Sequence, residues 1–220
     1  RDHFYNMEVM LYEGIRIGLM TVFSYDRQYC RGAVQLTCSR DGMNWSRAGG
    51  RQVFLPFSDQ PGDFDWGIIY PLQGPLVMGD EIWIYYTGVA TRHGEHSPGF
   101  VDSPSGIGLA KLRLDGFVSI DADAKEGTLT TKSFTPDGGQ TLVINADASG
   151  RDGHVLVELL GTDKEPITKF SRDDCDALNG DKIRHTVTWG GNSDLSTLNG
   201  RAVRLRFYLK EAKLFSLKFE

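Results

Sequence analysis

The sequence has little that would build a helix, a membrane span or a disulfide framework. No stretch of about 12 residues keeps the i, i+3, i+4, i+7 apolar spacing of an amphipathic helix, and no apolar run approaches the roughly 18 residues that cross a bilayer. The 3 cysteines show no CxxC spacing, which argues against a zinc site and a disulfide framework. A Cys30–Cys38 bridge and free buried thiols both stay open.

The charge balance gives no reason to expect a polyanionic partner. Lys and Arg number 24 against 29 Asp and Glu, a net charge of −5, so we expect neither nucleic acid nor a membrane as partner. The Gly pairs lack the strand–loop–helix context of a phosphate loop, and no GxSxG nucleophile motif occurs. A nucleotide-binding protein and a serine hydrolase of the GxSxG type are therefore not indicated.

Strand signals recur along the whole chain between clusters of Gly, Asp and Asn. They predict an all-β protein. The strands predicted in the first half are 5–12, 15–23, 33–39, 45–54, 67–78, 81–87, 106–114 and 117–120. Short turns, EG at 13–14, RDG at 40–42, GD at 79–80 and DG at 115–116, mark the hairpins between them.

These strands form two similar sets. Each set has a tight hairpin, LYEGIRIGL or LVMGDEIWIYY, then a longer loop, then a strand of small residues that ends in a Gly turn. A period of about 60 residues with four strands per unit is typical of propeller blades. Since known propellers need at least four blades, either further blades complete the ring or the blade interpretation is wrong.

Composition changes near residue 120. Residues 1–118 hold 17 of the 24 aromatic residues and one lysine, and the remainder holds 7 aromatic residues and 8 lysines. The later part predicts short antiparallel strands at 128–134, 140–147, 154–160, 184–189, 202–209 and 213–219. We therefore expect two partial propeller blades at 1–120 and a β-sandwich or jelly roll at 121–220, with the boundary at 118–126.

Four stretches carry a family resemblance: YNMEVMLYEGIRIGLM, VQLTCSRDGMNWSR, GIIYPLQGPLVMGDEIWIYYTG and GIGLAKLRLDGFVSID. They resemble the last blades of five-bladed β-propeller glycoside hydrolases, the invertase/fructanase-like and arabinanase/xylosidase-like families. The tail from GTLTT to AKLFSLKF resembles the sandwich appended to bacterial members. The resemblance implies hydrolysis of O-glycosidic bonds, a carbohydrate partner, and a periplasmic or secreted location.

The same resemblance implies roles for particular residues. Family members use three carboxylates on the inner strands of different blades, and two blades follow the general acid. Glu8 has the position of that acid, although MEVML lacks the proline of the family motif. Asp2 is a second candidate catalytic carboxylate. The first-blade carboxylate is expected upstream, on N-terminal blades in the same or a partner chain.

Family geometry also predicts a substrate-binding set at the starts of inner strands and in the loops between the second and third strands. Carboxylates and amides bond sugar hydroxyls, and flat aromatic rings cover a sugar face. Glycoside hydrolysis itself needs two carboxyl groups. The predicted substrate-binding residues are Tyr5, Asn6, Asp63, Asp65, Trp66, Tyr70, Arg92 and His93. His3 and His96 belong to the wider candidate set.

Most of these residues also have an ordinary structural interpretation. Asp63 and Asp65 fit Asx turns at a strand entry, Glu8 fits a cross-strand pair, and Trp66 fits core packing. The stretch SRDGMNW at 39–45 looks like a shortened sialidase-type Asp-box, a structural turn. The acidic loop 171–181 holds four aspartates and allows a structural Ca²⁺, yet it lacks EF-hand spacing. No cofactor and no catalytic metal are expected.

Two functions of different classes follow from the sequence. The first is a glycoside hydrolase, or the C-terminal part of one. The second is a non-catalytic carbohydrate-binding or structural module that kept the fold. Carboxylates upstream of the chain would distinguish the two.

Overall fold

The computed structural model describes residues 2–24, 30–94, 104–136 and 140–220. These residues form sixteen β-strands and two three-residue 3-10 turns, so the predicted all-β class is confirmed. The chain divides into two compact units, Arg1–Leu114 and Asp115–Glu220. The division lies a few residues before the predicted boundary at 118–126.

The first unit begins with an antiparallel sheet of three long strands. They are β1 (Asp2–Tyr12), β2 (Ile15–Ser24) and β3 (Arg31–Ser39), and the short strands β4 (Ser46–Arg47) and β5 (Val53–Leu55) pair with β3. Both faces of β2 are buried at its centre, where Leu19 is 1% exposed and Met20 is 7% exposed. Strand β2 is therefore the core of this sheet, and β1 is its edge.

The second set of strands in this unit is β6 (Ile68–Pro71), β7 (Leu76–Met78), β8 (Glu81–Val89) and β9 (Ser105–Arg113). Strands β6 and β7 pair with the two ends of β8, and β9 pairs along its other edge. A parallel pairing of Gly32 with Ile68 joins the two sets, and the buried Thr21 hydroxyl donates a hydrogen bond to the Ile69 carbonyl at 3.1 Å. The side of β2 that carries Thr21 therefore lies against β6.

The turn after β3 has the hydrogen bonds expected of an Asp-box. The Asp41 carboxylate accepts bonds from the backbone N–H of Met43 (2.9 Å) and Asn44 (2.8 Å) and from the Ser39 hydroxyl (3.0 Å). These bonds, with that of Asn44 the largest, hold the pKa of Asp41 well below its usual range. The Trp45 indole donates to the Gly42 carbonyl at 3.1 Å. The motif therefore closes a hairpin, as the sequence predicts.

The second unit is a sandwich of two sheets. One sheet contains β10 (Ile120–Ala122), β12 (Leu142–Ala148), β14 (Gly180–Thr186) and β16 (Ala212–Phe219), and the other contains β11 (Gly127–Thr130), β13 (His154–Leu160) and β15 (Arg204–Lys210). Successive strands alternate between the two sheets. The core between them includes Leu142, Ile144, Leu159, Leu205 and Phe207, each at most 1% exposed.

Several predicted strands differ from the observed ones, and the differences at 45–54 and 67–78 have identifiable reasons. The stretch 45–54 is interrupted by a 3-10 turn at Gly49–Arg51, where both glycines have positive φ. The stretch 67–78 is split between β6 and β7 because it contains two prolines, Pro71 and Pro75, which cannot donate ladder hydrogen bonds. The strand expected at 184–189 is β14, four residues earlier at its start.

Two simpler expectations concern the cysteines and the membrane. No disulfide joins Cys30, Cys38 and Cys175, so the Cys30–Cys38 bridge does not form and the thiol alternative holds, although each side chain is partly rather than fully buried. Within the described part of the chain, no helix has the length and apolarity needed to cross a bilayer.

The sandwich core predicts a large effect for its central aromatic side chain. Phe207 is fully buried, so Phe207→Ala should lower the free energy of unfolding by about 3–5 kcal/mol, through lost transfer energy and the cavity left behind. Chemical denaturation measures this. Leu217→Ala is the control, because Leu217 is 37% exposed and should cost much less. Equal losses in the two variants would contradict the assigned core.

Candidate functional site

A β-bulge near the start of β1 shapes the candidate site. Phe4 pairs with Val22 and Asn6 pairs with Thr21, so Tyr5 is an extra residue without a cross-strand partner. A bulge of this kind redirects side chains and breaks the alternation of faces. From Asn6 onward the even-numbered residues of β1 lie on the face that carries Thr21, the face toward β6.

The bulge places Tyr5 among aromatic rings from both sets of strands in the first unit. The Tyr5 ring lies 5.6 Å from Tyr70 on β6 and 5.3 Å from His93, and the His93 ring lies 4.9 Å from Phe23 on β2. We name Tyr5, Phe23, Tyr70 and His93 the aromatic cluster. Tyr5 is 53% exposed and His93 is exposed, so the cluster has a solvent-facing side. Three predicted substrate-binding residues therefore come together.

Hydrogen bonds and burial fix the geometry of this cluster. The backbone N–H of His93 donates to the Cys30 carbonyl at 2.9 Å, which positions the loop after β8. Burial raises the pKa of Tyr70 to about 12, and the charge and hydrogen bonding of Tyr5 add to the effect. Tyr70 is therefore a neutral hydroxyl at physiological pH.

Asn6 and Glu8 follow the aromatic cluster along the same face of β1. Both are partly buried, and they stand opposite Thr21 and Leu19 respectively. Among the described residues nothing donates a hydrogen bond to the buried Asn6 Oδ1. Glu8 is two residues further on, about 6.6 Å along a strand. The two predicted residues thus share a face with the cluster.

Asp2 lies on the other face of β1. Its carboxylate is 3.8 Å from Arg47, which also stacks on Phe4 at 5.6 Å and bonds Gln35. Gln35 pairs with Met20, on the side of the sheet away from Thr21. The structure therefore does not bring Asp2 together with Glu8, although the sequence suggested both as catalytic carboxylates.

Trp66 and Arg92 belong to a second group beside the cluster, organised by Arg31. The Arg31 guanidinium lies over Phe57 at 3.5 Å and over Trp66 at 4.6 Å, and Arg92 lies over Trp66 at 5.0 Å. Arg31 also donates to the carbonyls of Trp66 (2.7 Å) and Ser58. Its pKa is lowered by burial and then by Arg92. Two guanidinium groups therefore lie over the Trp66 ring.

Asp63 and Asp65 lie in the loop that precedes β6, and both form hydrogen bonds there. Asp63 accepts the Ser58 hydroxyl, and its carbonyl accepts the Trp66 N–H at 3.1 Å, which agrees with a turn role. Asp65 accepts the Tyr86 hydroxyl at 2.8 Å. A Cβ at Gly88 would stand 2.5 Å from the Asp65 Cβ, so this approach requires glycine. The two carboxylates therefore hold the loop and Tyr86 in place.

Sequence reasoning missed Arg31, Phe23, Phe57 and Tyr86. Arg31 directly precedes the strand predicted at 33–39, and an arginine at a strand entry carries no motif. Phe23 and Tyr86 lie within strands predicted at 15–23 and 81–87, where an aromatic residue is common and indicates no site. His96, a further candidate, lies outside the described residues. The clearest available signal was the aromatic richness of residues 1–118, which predicts ring contacts without specifying pairs.

The acidic loop 171–181 uses its carboxylates internally. Asp174 accepts the Ser171 hydroxyl at 2.6 Å, and Asp176 accepts the Thr188 hydroxyl at 2.6 Å and the Gly191 N–H at 2.7 Å. In the described parts of the chain no group of three or more His, Cys, Asp or Glu side chains could hold a metal ion. Bound calcium at this loop stays an untested expectation.

Comparison with known proteins gives no family assignment. No family model matches the chain, and no curated protein matches it. The resemblance to propeller glycoside hydrolases therefore stays a prediction that rests on the quoted motifs.

The aromatic cluster predicts a coupled tyrosine titration. Tyr5→Phe should lower the pKa of Tyr70 from about 12 towards 10, with burial keeping it above the ordinary value. NMR of ring-labelled tyrosine measures this, with Tyr86 as control because its pKa of about 12 depends on burial and Asp65.

Folding raises the pKa of both tyrosines. Their contribution to the free energy of unfolding is therefore complete below pH 10 and is lost between about pH 10 and 12. An unchanged Tyr70 would contradict the contact.

Arg31 predicts a stability effect in the loop before β6. Arg31→Ala should lower the free energy of unfolding by about 1–3 kcal/mol, because two backbone carbonyls lose their donor. Arg31→Lys should recover little, since an ammonium group lacks the planar fork. Thermal and chemical denaturation measure both. Arg40→Ala at an exposed position is the control, and a loss equal to that of Arg31→Ala would contradict the assigned role.

Proposed function

We propose that the first unit carries part of the sugar site of a five-bladed-propeller glycoside hydrolase that cleaves O-glycosidic bonds in oligo- or polysaccharides. The observation that carries the proposal is the bulge at Tyr5, which gathers Tyr5, Asn6, Tyr70 and His93 on one side of β1. Bulges recur next to active sites, where they re-aim side chains.

The chemistry of this cluster suits a saccharide. Exposed aromatic rings at Tyr5 and His93 offer an apolar surface to the C–H face of a sugar, and the neutral Tyr70 hydroxyl can donate or accept. Asn6 is partly buried on the same face of β1, and a side-chain amide is a group that can bond sugar hydroxyls. Small-molecule sites are typically lined by apolar and aromatic side chains, with a few polar groups that fix the orientation of the ligand.

Glu8 is the carboxylate that we assign as general acid. It follows Asn6 on the same face of β1, whereas Asp2, Asp63 and Asp65 contact Arg47, Ser58 and Tyr86. Hydrolysis requires a second carboxyl group about 5–9.5 Å from the acid. The proposal therefore places that group on further blades, in the same or a partner chain.

Exposed apolar residues on the outer sides of the first unit support the need for further blades. Phe4 and Leu11 on β1 are 66% and 68% exposed, and Ile107 on β9 is 71% exposed beside Leu109 at 40%. A propeller blade normally packs both faces against neighbours, so such residues fit positions that other blades cover.

The alternative function is a non-catalytic carbohydrate-binding module. The observation that favours it is the engagement of Asp2, Asp63 and Asp65 in ion pairs and hydrogen bonds within the chain. A module of this kind would keep the aromatic cluster and bind saccharides without turnover.

Glu8→Gln separates the two functions. With the remaining blades present, the variant should lose at least about 100-fold in kcat on oligosaccharides with poor leaving groups and keep its affinity, because an amide cannot donate the proton. Aryl glycosides with good leaving groups should lose less. Rates are measured by product chromatography across arabino-, xylo- and fructo-oligosaccharides.

The matched control is Glu13→Gln, which changes an exposed glutamate in the turn after the same strand. Its turnover should equal that of the unchanged protein. Binding in all variants without turnover in any would support the alternative module. Turnover unchanged in Glu8→Gln would remove Glu8 as the acid.

A further inference from the structure

The second unit contains a pocket of about 570 Å³ that is remote in sequence from the proposed sugar site. It lies between two loops of the sandwich, residues 161–170 after β13 and residues 192–201 before β15. Pockets that hold small ligands measure about 300–1,000 Å³. The size therefore admits a ligand of two or more sugar rings.

Both loops are held in place by their own hydrogen bonds. In the first, the N–H of Leu159 donates to the Phe170 carbonyl and that of Ile167 donates to the Leu159 carbonyl, each at 2.9 Å. In the second, the Asp194 carboxylate accepts the backbone N–H of Ser196 at 2.8 Å and its hydroxyl at 3.0 Å. The pocket is thus formed by ordered loops.

The first loop stores backbone strain next to the pocket. Lys164 and Lys169 both have φ of 72°, in the left-handed region that non-glycine residues seldom adopt. Backbone strain of this kind recurs at ligand clamps. The surrounding hydrogen bonds maintain it here, and Lys169 lines the pocket.

The lining combines an apolar floor with a polar rim of both charge signs. The floor is formed by the buried Phe170 and Leu198, which belong to the sandwich core, and by Ile167. The rim carries Asp163, Glu165 and Asp194 as acids, and Lys169 and Arg201 as bases. A charged ligand would be repelled by the rim residues of its own sign. A neutral polyol can hydrogen-bond to the carboxylates and to the cations alike.

We propose that this pocket binds a neutral saccharide at a second site, separate from the aromatic cluster. Glu165 and Arg201 bond sugar hydroxyls from opposite loops, and the Ile167 side takes the apolar face of a ring. The site depends on the sandwich alone, so it stands whether or not the first unit belongs to a hydrolase.

Titration of the complete chain with xylotetraose, cellotetraose and inulotetraose tests the proposal by amide NMR. At least one of these should produce saturable shifts in the amides of 161–170 and 192–201. Arg201→Ala and Glu165→Ala should each weaken that binding at least fivefold. Arg151→Ala, at an exposed site outside the pocket, should leave the Kd unchanged.

The readout also separates this site from the proposed active site. Shifts near His93 report the aromatic cluster, and they test the first function independently. Absence of saturable shifts in both sandwich loops with all three probes would overturn the second site. Binding that persists unchanged in both pocket variants would overturn it as well, provided that circular dichroism shows the variants folded.

Discussion

The β-bulge at Tyr5 determines which side chains of β1 reach the space beside β6. On a regular strand Tyr5 and Asn6 would point to opposite faces, because side chains alternate with a period of two. The unpaired residue allows Tyr5 to contact Tyr70 and His93 while Asn6 and Glu8 face the same way. A single extra residue thus assembles a polar and aromatic surface from an edge strand.

The surface has a fixed position because hydrogen bonds at buried points join the two sets of strands in the first unit. The Thr21 hydroxyl, with no exposed surface, donates to the Ile69 carbonyl, and the N–H of Gly32 donates to the Gly67 carbonyl at 3.2 Å. Arg31 extends this junction to the loop before β6. The aromatic cluster and the Trp66 group therefore depend on the same few contacts.

The sequence predicted the all-β class and named three side chains that the structure brings together, Tyr5, Tyr70 and His93, and the bulge explains the main difference. Turn residues and alternating apolar strands are local signals, so the all-β class could be predicted. Family geometry assigns Asp2, Tyr5 and Asn6 to the pocket face at the start of an inner strand, and a regular strand would also put Asp2 on the side of Asn6 and Glu8. Because of the bulge, the even-numbered residues before Asn6 lie on the opposite face from those after it. Asp2 therefore contacts Arg47 on the far side of the sheet. The residue types in DHFYNME do not predict a bulge, because a bulge depends on how the strand pairs with its neighbour.

The distribution of carboxylates restricts what chemistry the first unit can perform. Asp63 and Asp65 order a loop, and Asp2 faces the opposite side of the sheet, which leaves Glu8 beside the aromatic cluster. One carboxyl group can protonate a leaving oxygen, yet an oxocarbenium-like transition state also needs a carboxylate on the other side of the sugar ring. In the proposed hydrolase that carboxylate comes from a sheet that packs against the Glu8 face of β1. The exposed Phe4 and Leu11 lie on the opposite face of the same strand, where a different neighbour would cover them. The proposal therefore gives β1 two neighbours, one that completes the catalytic pair and one that completes the packing.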